Sequence, residues 1–477
     1  MRIDPSSSTP AFLQIAEWVR AGVASGVYRA GDLVPSIRET ALRFVVNPNT
    51  VKRAYEELER EGLIVAQGDR DGGAGLHGAG GAEADGVGGA RGADGGGELG
   101  AAGGDGAGGD RRAVRACVGG VRACGGCGGG GIEGGRQVTT VAPVRGSATG
   151  GAVVASGVSK RFGTREALRG VSLSIERGTT CGLIGLNGAG KSTLIKTLVG
   201  LLPPDAGTTT LGGVDVWSNR VEAVRNLGYV PDRPHTYSWM RVEKAIEFAA
   251  AMWNGRPAGG AGGSGGGWNA ALASKLQKQY GLDGRQKCGK LSKGQGAKLS
   301  LLLALSHDPE ILVLDEPTDG LDPIAREEFL QQVLESTLDR EGAVKRTVVI
   351  SSHALGDLQR LTDTVAVLHE GALLLHAPTE ELVSGTKRLR VVLDRPSPES
   401  GGLPAVPEGA IFHQRRGREW TITLGAAGGA GSEEAARALR GMPGVSAVSV
   451  EDLSLDEVFK DLVRGRQEPA RVMEGAA

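Results

Sequence analysis

The chain has 477 residues, enough for two or three domains, and its 54 Lys+Arg balance 55 Asp+Glu. That balance excludes a whole-chain electrostatic case for nucleic acid or an anionic membrane, so any basic patch is local. "MRIDPSSSTP" lacks the features of a secretion signal and no apolar run reaches the roughly 18 to 20 residues that cross a bilayer, so a cytoplasmic protein is expected, peripheral to a membrane only through a partner.

Residues 1–70 read as a small helical module. Phe12, Ile15, Val19 and Val23 recur at helical spacing and predict an amphipathic first helix. Ser36 and Glu39 have capping-box spacing after Pro35, so a second helix starts there and ends near Phe44. Asn47 can cap a third, with Pro48 at its first position. Two short helices joined by a tight turn make a helix-turn-helix. Asn49, Thr50, Lys52 and Arg53 lie in the first turns of its second helix, where side chains reach base edges and phosphates. Arg38, in the preceding helix, is placed to clamp a phosphate. Spacing alone leaves a three-helix surface domain with solvated charges equally open. The long stretch "GVYRAGDLVPSIRETALRFVVNPNTVKRAYEELEREGLIV" resembles the winged helix-turn-helix of GntR-family transcriptional regulators. The resemblance implies a dimer reading an inverted-repeat operator, with Arg38, Asn49, Thr50 and Lys52 facing DNA. Where the family forms a wing hairpin this chain continues "AQGDRDGGAGLHG", so a short wing is expected, and no large effector domain follows.

Residues 71–151 read as a disordered glycine-rich linker. Thirty-one of the 80 glycines fall in 71–150, almost without large apolar side chains, so burial cannot offset the entropy of ordering. Such a coil has a typical end-to-end distance of about 50 Å, and the flanking modules are expected to be tethered and not docked. Cys117, Cys124 and Cys127 lie in this stretch; with no fourth ligand and no histidine near, incidental thiols are expected. Cys181 and Cys288 read as small buried residues.

Residues 152–390 carry the sharpest motifs, with a helical subdomain expected at about 233–300 and a surface-loop insertion in the glycine run 259–267. "GLNGAGKST" fits the phosphate-loop pattern between an apolar run and a helix-like segment. Gly185, Asn187, Gly188, Ala189, Gly190 and Thr193 would turn backbone N–H groups toward phosphate oxygens at a helix N-terminus. Lys191 would reach the β- and γ-phosphates and Ser192 would ligate Mg2+. "ILVLDE" reads as a buried strand ending in Asp315, for the Mg2+ shell, and Glu316, placed to activate the attacking water. Together with these, several further motifs resemble the ATP-binding domain of ABC transporters. "LSKGQ" resembles the signature, which implies that Ser292, Lys293, Gly294 and Gln295 act on the ATP of a second subunit. "DGLD" resembles the D-loop, with Asp319 and Asp322. "SSH" ends in His353, matching the histidine that contacts the γ-phosphate, and Phe162 matches the aromatic that stacks on adenine. Asp232 stands where the family carries Gln or Glu; it is shorter, with weaker reach to the metal.

Residues 391–465 read as a small α+β module without a catalytic constellation, with Ser454 and Glu457 at capping-box spacing, before a disordered tail 466–477. "LSLDEVFKDLVRG" resembles the C-terminal extension of ATPases in drug- and polyketide-type exporters. The fold class expected is multi-domain: a winged helix-turn-helix, mainly α, a disordered Gly-rich linker, an α/β P-loop NTPase of ABC type and a small α+β C-terminal module.

These readings imply the ATP-binding and ATP-hydrolysing subunit of an ABC-type export system, fused to a GntR-like regulator. ATP and Mg2+ are the expected ligands; operator DNA, a separate transmembrane permease and a second copy are the expected partners. The alternative is a soluble ATP-responsive transcription factor without a transport role. DNA-repair and structural-maintenance ATPases carry long coiled coils or zinc insertions, patterns that do not stand out in this sequence.

Overall fold

Two helices of the N-terminal module begin at side-chain caps that their sequence supplies. Helix α1 spans Ala11–Ala24 and buries Ile15 and Val19. Helix α2, Ile37–Phe44, starts with the Ser36–Glu39 capping box. Helix α3, Pro48–Arg60, is capped by Asn47, whose side chain accepts the Asn49 N–H. The turn between α2 and α3 runs through Val45 at φ +52, a left-handed conformation unusual for a β-branched residue. Trp18 holds the helices together, edge-on to Phe44 at 5.0 Å and to Tyr28 at 6.1 Å. Of the wing, the described residues form β1, Ile64–Ala66, paired antiparallel with β2, Ala74–Leu76.

The computed structural model describes residues 3–4, 7, 9–29, 31–66, 74–76, 151–233, 236–254, 267–338, 344–394, 406–425 and 431–467. Apart from residues 74–76, 151, 267 and 466–467, the expected linker 71–151 with Cys117, Cys124 and Cys127, the glycine run 259–267 and the tail 466–477 lie outside them. The described residues belong to one unit, Met1–Gly78 with Val138–Ala477.

The central module has two sheets. Strands β3 (Val153–Phe162), β4 (Arg165–Ile175), β6 (Ala206–Leu211) and β7 (Val214–Asp215) form an antiparallel sheet in the order β4-β3-β6-β7. The other has the order β12-β11-β5-β10-β9-β8, built from β5 (Thr180–Ile184), β8 (Leu227–Val230), β9 (Ile311–Asp315), β10 (Thr347–Ser351), β11 (Thr364–His369) and β12 (Ala372–Pro378). All of it is parallel except β12. Strands β9 and β10 are buried along their whole length, as expected for apolar runs covered on both faces. Helix α4 (Lys191–Leu198) follows β5, and the short α5 (Arg220–Ala223) precedes β8. Helices α6 (Val242–Asn254), α7 (Ala270–Gln279) and α8 (Lys293–Leu305) lie between β8 and β9. Helices α9 (Pro323–Thr337), α10 (Leu355–Leu361) and α11 (Thr379–Gly385) complete this module.

The C-terminal module is an antiparallel sheet in the order β14-β15-β13-β16, from β13 (Lys387–Leu393), β14 (Ala410–Arg416), β15 (Glu419–Leu424) and β16 (Val445–Asp452). Its core is Leu389, Val391, Trp420 and Ile422, closed by α12 (Ser432–Arg440). Helix α13 (Leu455–Gln467) carries the Ser454–Glu457 cap and lies against α10 and α11. The Gln359 side chain accepts the Leu455 N–H at 3.2 Å.

One expectation is corrected. The helical module is docked on the central module and not merely tethered to it. The Asn47 N–H donates to the Arg360 carbonyl at 2.9 Å, and Asn47 Nδ2 donates to the Leu361 carbonyl at 2.9 Å. Asn49 Nδ2 donates to Asp363 Oδ1 at 3.0 Å, and Arg53 pairs with Glu380. The length of the connecting sequence sets only the entropy of closure, which grows slowly with length and can be offset by a few buried hydrogen bonds.

Candidate functional site

Two cavities meet at the carboxyl ends of β5, β9 and β10. The first, about 480 Å³, is lined by Phe162, Arg165, the loop residues Asn187, Gly188 and Gly190, then Lys191 to Thr193, and Glu316. The loop's glycines are there for space and for backbone conformation. Gly188 and Gly190 have φ of +83 and +107, and a Cβ on Gly190 would lie 2.6 Å from the Ala167 carbonyl oxygen. A Cβ on Gly185 would lie 2.6 Å from the Leu368 carbonyl oxygen. Ala189 is buried beneath the loop, and Thr193 sits in the first turn of α4. Phe162, half exposed at the end of β3, stands at the mouth.

Lys191 is buried at 5% exposure. It donates to the Gly185 carbonyl at 2.7 Å and lies 3.1 Å from Glu316 Oε1. His353 Nδ1 is 3.2 Å from Glu316 Oε2, and His353 Nε2 is 3.8 Å from Asp319. Burial raises the Glu316 pKa, but Lys191 and His353 outweigh it and hold the carboxyl below its usual range. Glu316 also sits at φ +45, a strained conformation for a residue with a side chain.

Asp315 is fully buried. Its Oδ1 accepts from Ser192 Oγ at 3.2 Å and from Ser351 Oγ at 2.9 Å, while its Oδ2 has no hydrogen-bond partner. Burial pushes its pKa up despite those hydroxyls. A buried carboxylate oxygen with nothing to accept from, beside a serine hydroxyl, is a donor set suited to a hard cation. Glu316, Asp319 and His353 form a second, more exposed grouping with ligand atoms within 4.8 Å of one another.

The second cavity, about 750 Å³, shares Ser192 and Glu316 with the first and adds Asp232, Ser292, Lys293 and Asp319. Ser292 and Gln295 cap α8 reciprocally, at 3.2 and 3.0 Å. Gly294 packs beneath, facing Ala325. Lys293 reaches over Gly320, where a Cβ would come within 2.5 Å of its ammonium. The carboxylate of Asp322 is occupied as the cap of α9, accepting the Ile324 and Ala325 N–H groups at 3.1 and 3.0 Å. None of Ser292, Lys293, Gly294 and Gln295 lines the first cavity.

Two contributors escaped sequence reasoning. Ser351 accepts the Glu316 backbone N–H at 2.8 Å while donating to Asp315 Oδ1, so it ties the Asp315 carboxylate to the main chain at Glu316. Its signal was the "SSH" triplet at the end of an apolar strand. Arg165 donates to the Gly188 carbonyl at 3.2 Å and puts a cation at the loop. Of the residues assigned to DNA, Asn49 and Arg53 face the central module, and Arg38 lines a groove with Gln279 and Lys345. Thr50 is half buried, whereas Lys52 is exposed and 3.9 Å from Glu56.

Comparison with known proteins agrees with both halves. The family model "ABC transporter" matches residues 168–319, and the model "Bacterial regulatory proteins, gntR family" matches residues 12–71. The chain is 30% identical to the bacitracin transport ATP-binding protein of Bacillus licheniformis, over 47% of this chain and 69% of that protein. It is 35% identical to a Nod factor export ATP-binding protein of Burkholderia orbicola, over 47% and 70%. With the ABC transporter ATP-binding protein NatA of Bacillus subtilis it shares 31% identity, over 47% and 88%. The chain belongs to the ATP-binding proteins of ABC transporters. It is a nucleotide-binding ATPase of that family with a GntR-family DNA-binding domain fused ahead of it.

Proposed function

We propose that this chain hydrolyses ATP at composite sites of a homodimer, drives a separate export permease, and binds an inverted-repeat operator through its N-terminal module. The observation that carries the first part is the line Lys191–Glu316–His353, with contacts of 3.1 and 3.2 Å at the mouth of a phosphate loop. Lys191 turns from Glu316 to the β- and γ-phosphates. Glu316, kept ionised, takes the proton of the attacking water. His353 orients Glu316 and meets the γ-phosphate. Magnesium fits the corner of Ser192 and the unpartnered oxygen of Asp315; bound there, it neutralises charge on the phosphate oxygens. The signature residues lie outside the first cavity, which supports their acting on the partner's ATP. Asp232, in the second cavity, would sense the nucleotide from the helical side.

The permease is supported by a surface feature. Tyr237, Trp239, Phe248 and Met252 are 56%, 68%, 49% and 60% exposed, and the Tyr237 ring lies 5.7 Å from Trp239 and 6.3 Å from Phe248. Such a patch beside the second cavity suits a protein contact. No described helix is long and apolar enough to cross a membrane. The relatives' names speak of bacitracin transport and Nod factor export, which favours export as the direction. The protein would then sit at the inner face of the membrane. Pull-down from solubilised membranes should recover a polytopic protein; a chain that stays unattached when its permease is co-expressed would sink the transport reading.

A second reading, an ATP-responsive transcription factor, is favoured by one observation. The start of α3 rests on the end of α10, the helix that follows His353. If ATP leaves operator affinity unchanged in Glu316→Gln, that reading fails.

A further inference from the structure

The end of α3 assigned to DNA is already engaged. Asn47 is 2% exposed; its side-chain oxygen Oδ1 accepts the Asn49 N–H to cap α3, and its donors, backbone N–H and Nδ2, reach the carbonyls of Arg360 and Leu361. Asn49 gives its amide to Asp363. The other oxygen of Asp363 accepts the Thr180 N–H at 2.7 Å, which fixes the carboxylate against the start of β5. Arg53 stacks 4.4 Å over Phe12 and is aimed at Glu380. A duplex offers these side chains anionic phosphate oxygens and base-edge acceptors. Asp363 and Glu380 offer the same charge and the same lone pairs. Lys52, on the open side, pairs with Glu56.

We infer that the face made by residues 360–363 and Glu380 masks the recognition helix by imitating DNA, so that docking and operator binding exclude each other. The inference rests on the reading of α3 as the DNA-recognition helix. Two carboxylates from the ATPase module occupy the donors that would carry sequence recognition, and α3 must leave them before a duplex can enter. The mask also has an address. Helix α10 begins two residues after His353 and ends at the carbonyls that hold Asn47, so one short helix joins the γ-phosphate sensor to the dock.

The test compares the native full chain with Asp363→Asn/Glu380→Lys. Asparagine keeps an acceptor for Thr180 but not a second one for Asn49, and lysine sets a like charge against Arg53. The probe is a fluorescein-labelled pool of random-sequence short duplexes at low salt, from which retained sequences are enriched and re-assayed. Retained ATP binding checks the fold. The variant should bind the enriched duplex about tenfold or more tightly than the native chain, with faster amide exchange over residues 45–53 in the absence of DNA. Faster exchange with unchanged affinity would overturn the mask. Unchanged exchange would overturn it too, because these carboxylates would then not be holding α3. If neither protein enriches any sequence, the DNA reading itself falls and takes the mask with it, a pattern distinct from the other two.

Discussion

Glu316→Gln separates chemistry from binding at the nucleotide site. Glutamine keeps the size of Glu316, tolerates the same strained backbone about as well, and still offers an oxygen to Lys191 at 3.1 Å and an amide to His353 at 3.2 Å. What it loses is the ability to take a proton. General-base loss is worth about 10²- to 10⁴-fold in kcat, or about 3 to 5 kcal/mol at 1.36 kcal/mol per tenfold. Nucleotide affinity should not weaken. In the native chain the γ-phosphate competes with the Glu316 carboxylate for Lys191, and removing that negative charge should tighten ATP binding by a few-fold to about tenfold. Phosphate release gives kcat, and titration with a fluorescent ATP analogue gives Kd. A kcat within about tenfold of native, or a weaker Kd, would refute the assignment and make Glu316 a structural anchor for Lys191.

Other outcomes follow from the same geometry. Lys191→Ala should lose ATP binding by about a hundredfold, since it removes the buried cation of the cleft, and the same titration measures it. Trp239→Ala/Phe248→Ala should leave ATP hydrolysis by the purified chain unchanged while abolishing recovery of a permease from solubilised membranes. Trp420→Ala should destabilise the C-terminal module by about 3 to 5 kcal/mol, read from denaturant unfolding, because this fully buried ring fills the centre of its core. Burial pushes the Cys181 thiol up to about 12, so alkylation at neutral to mildly basic pH should spare Cys181 until the protein is denatured, as read by peptide mass spectrometry.

What the sequence disclosed was local. Capping boxes at Ser36 and Ser454 depend on residues three apart, and both form. The phosphate loop and the strand "ILVLD" are also written in a few consecutive residues, so their placement at one end of the parallel sheet was legible. Contacts across the chain were not. Asn49 meets Asp363 over a separation of 314 residues, and an asparagine donor looks the same whether it serves a base edge or a carboxylate. Asp322 reads as a D-loop acid, but the helix after it takes its carboxylate for a cap. Ser351 was hidden because a serine at a strand end has many uses, and only the fold brings it between Asp315 and Glu316.

The claim that two chains share each ATP can be tested by mixing two broken proteins. Lys191→Ala removes the phosphate-loop cation and Ser292→Ala removes the signature hydroxyl, so each homodimer alone has two damaged sites. A mixed dimer pairs the intact loop of one chain with the intact signature of the other. Half of the dimers in an equimolar mixture are mixed and each has one whole site, so phosphate release should recover to about a quarter of the native rate. A mixture that stays as inactive as its two components would contradict the account.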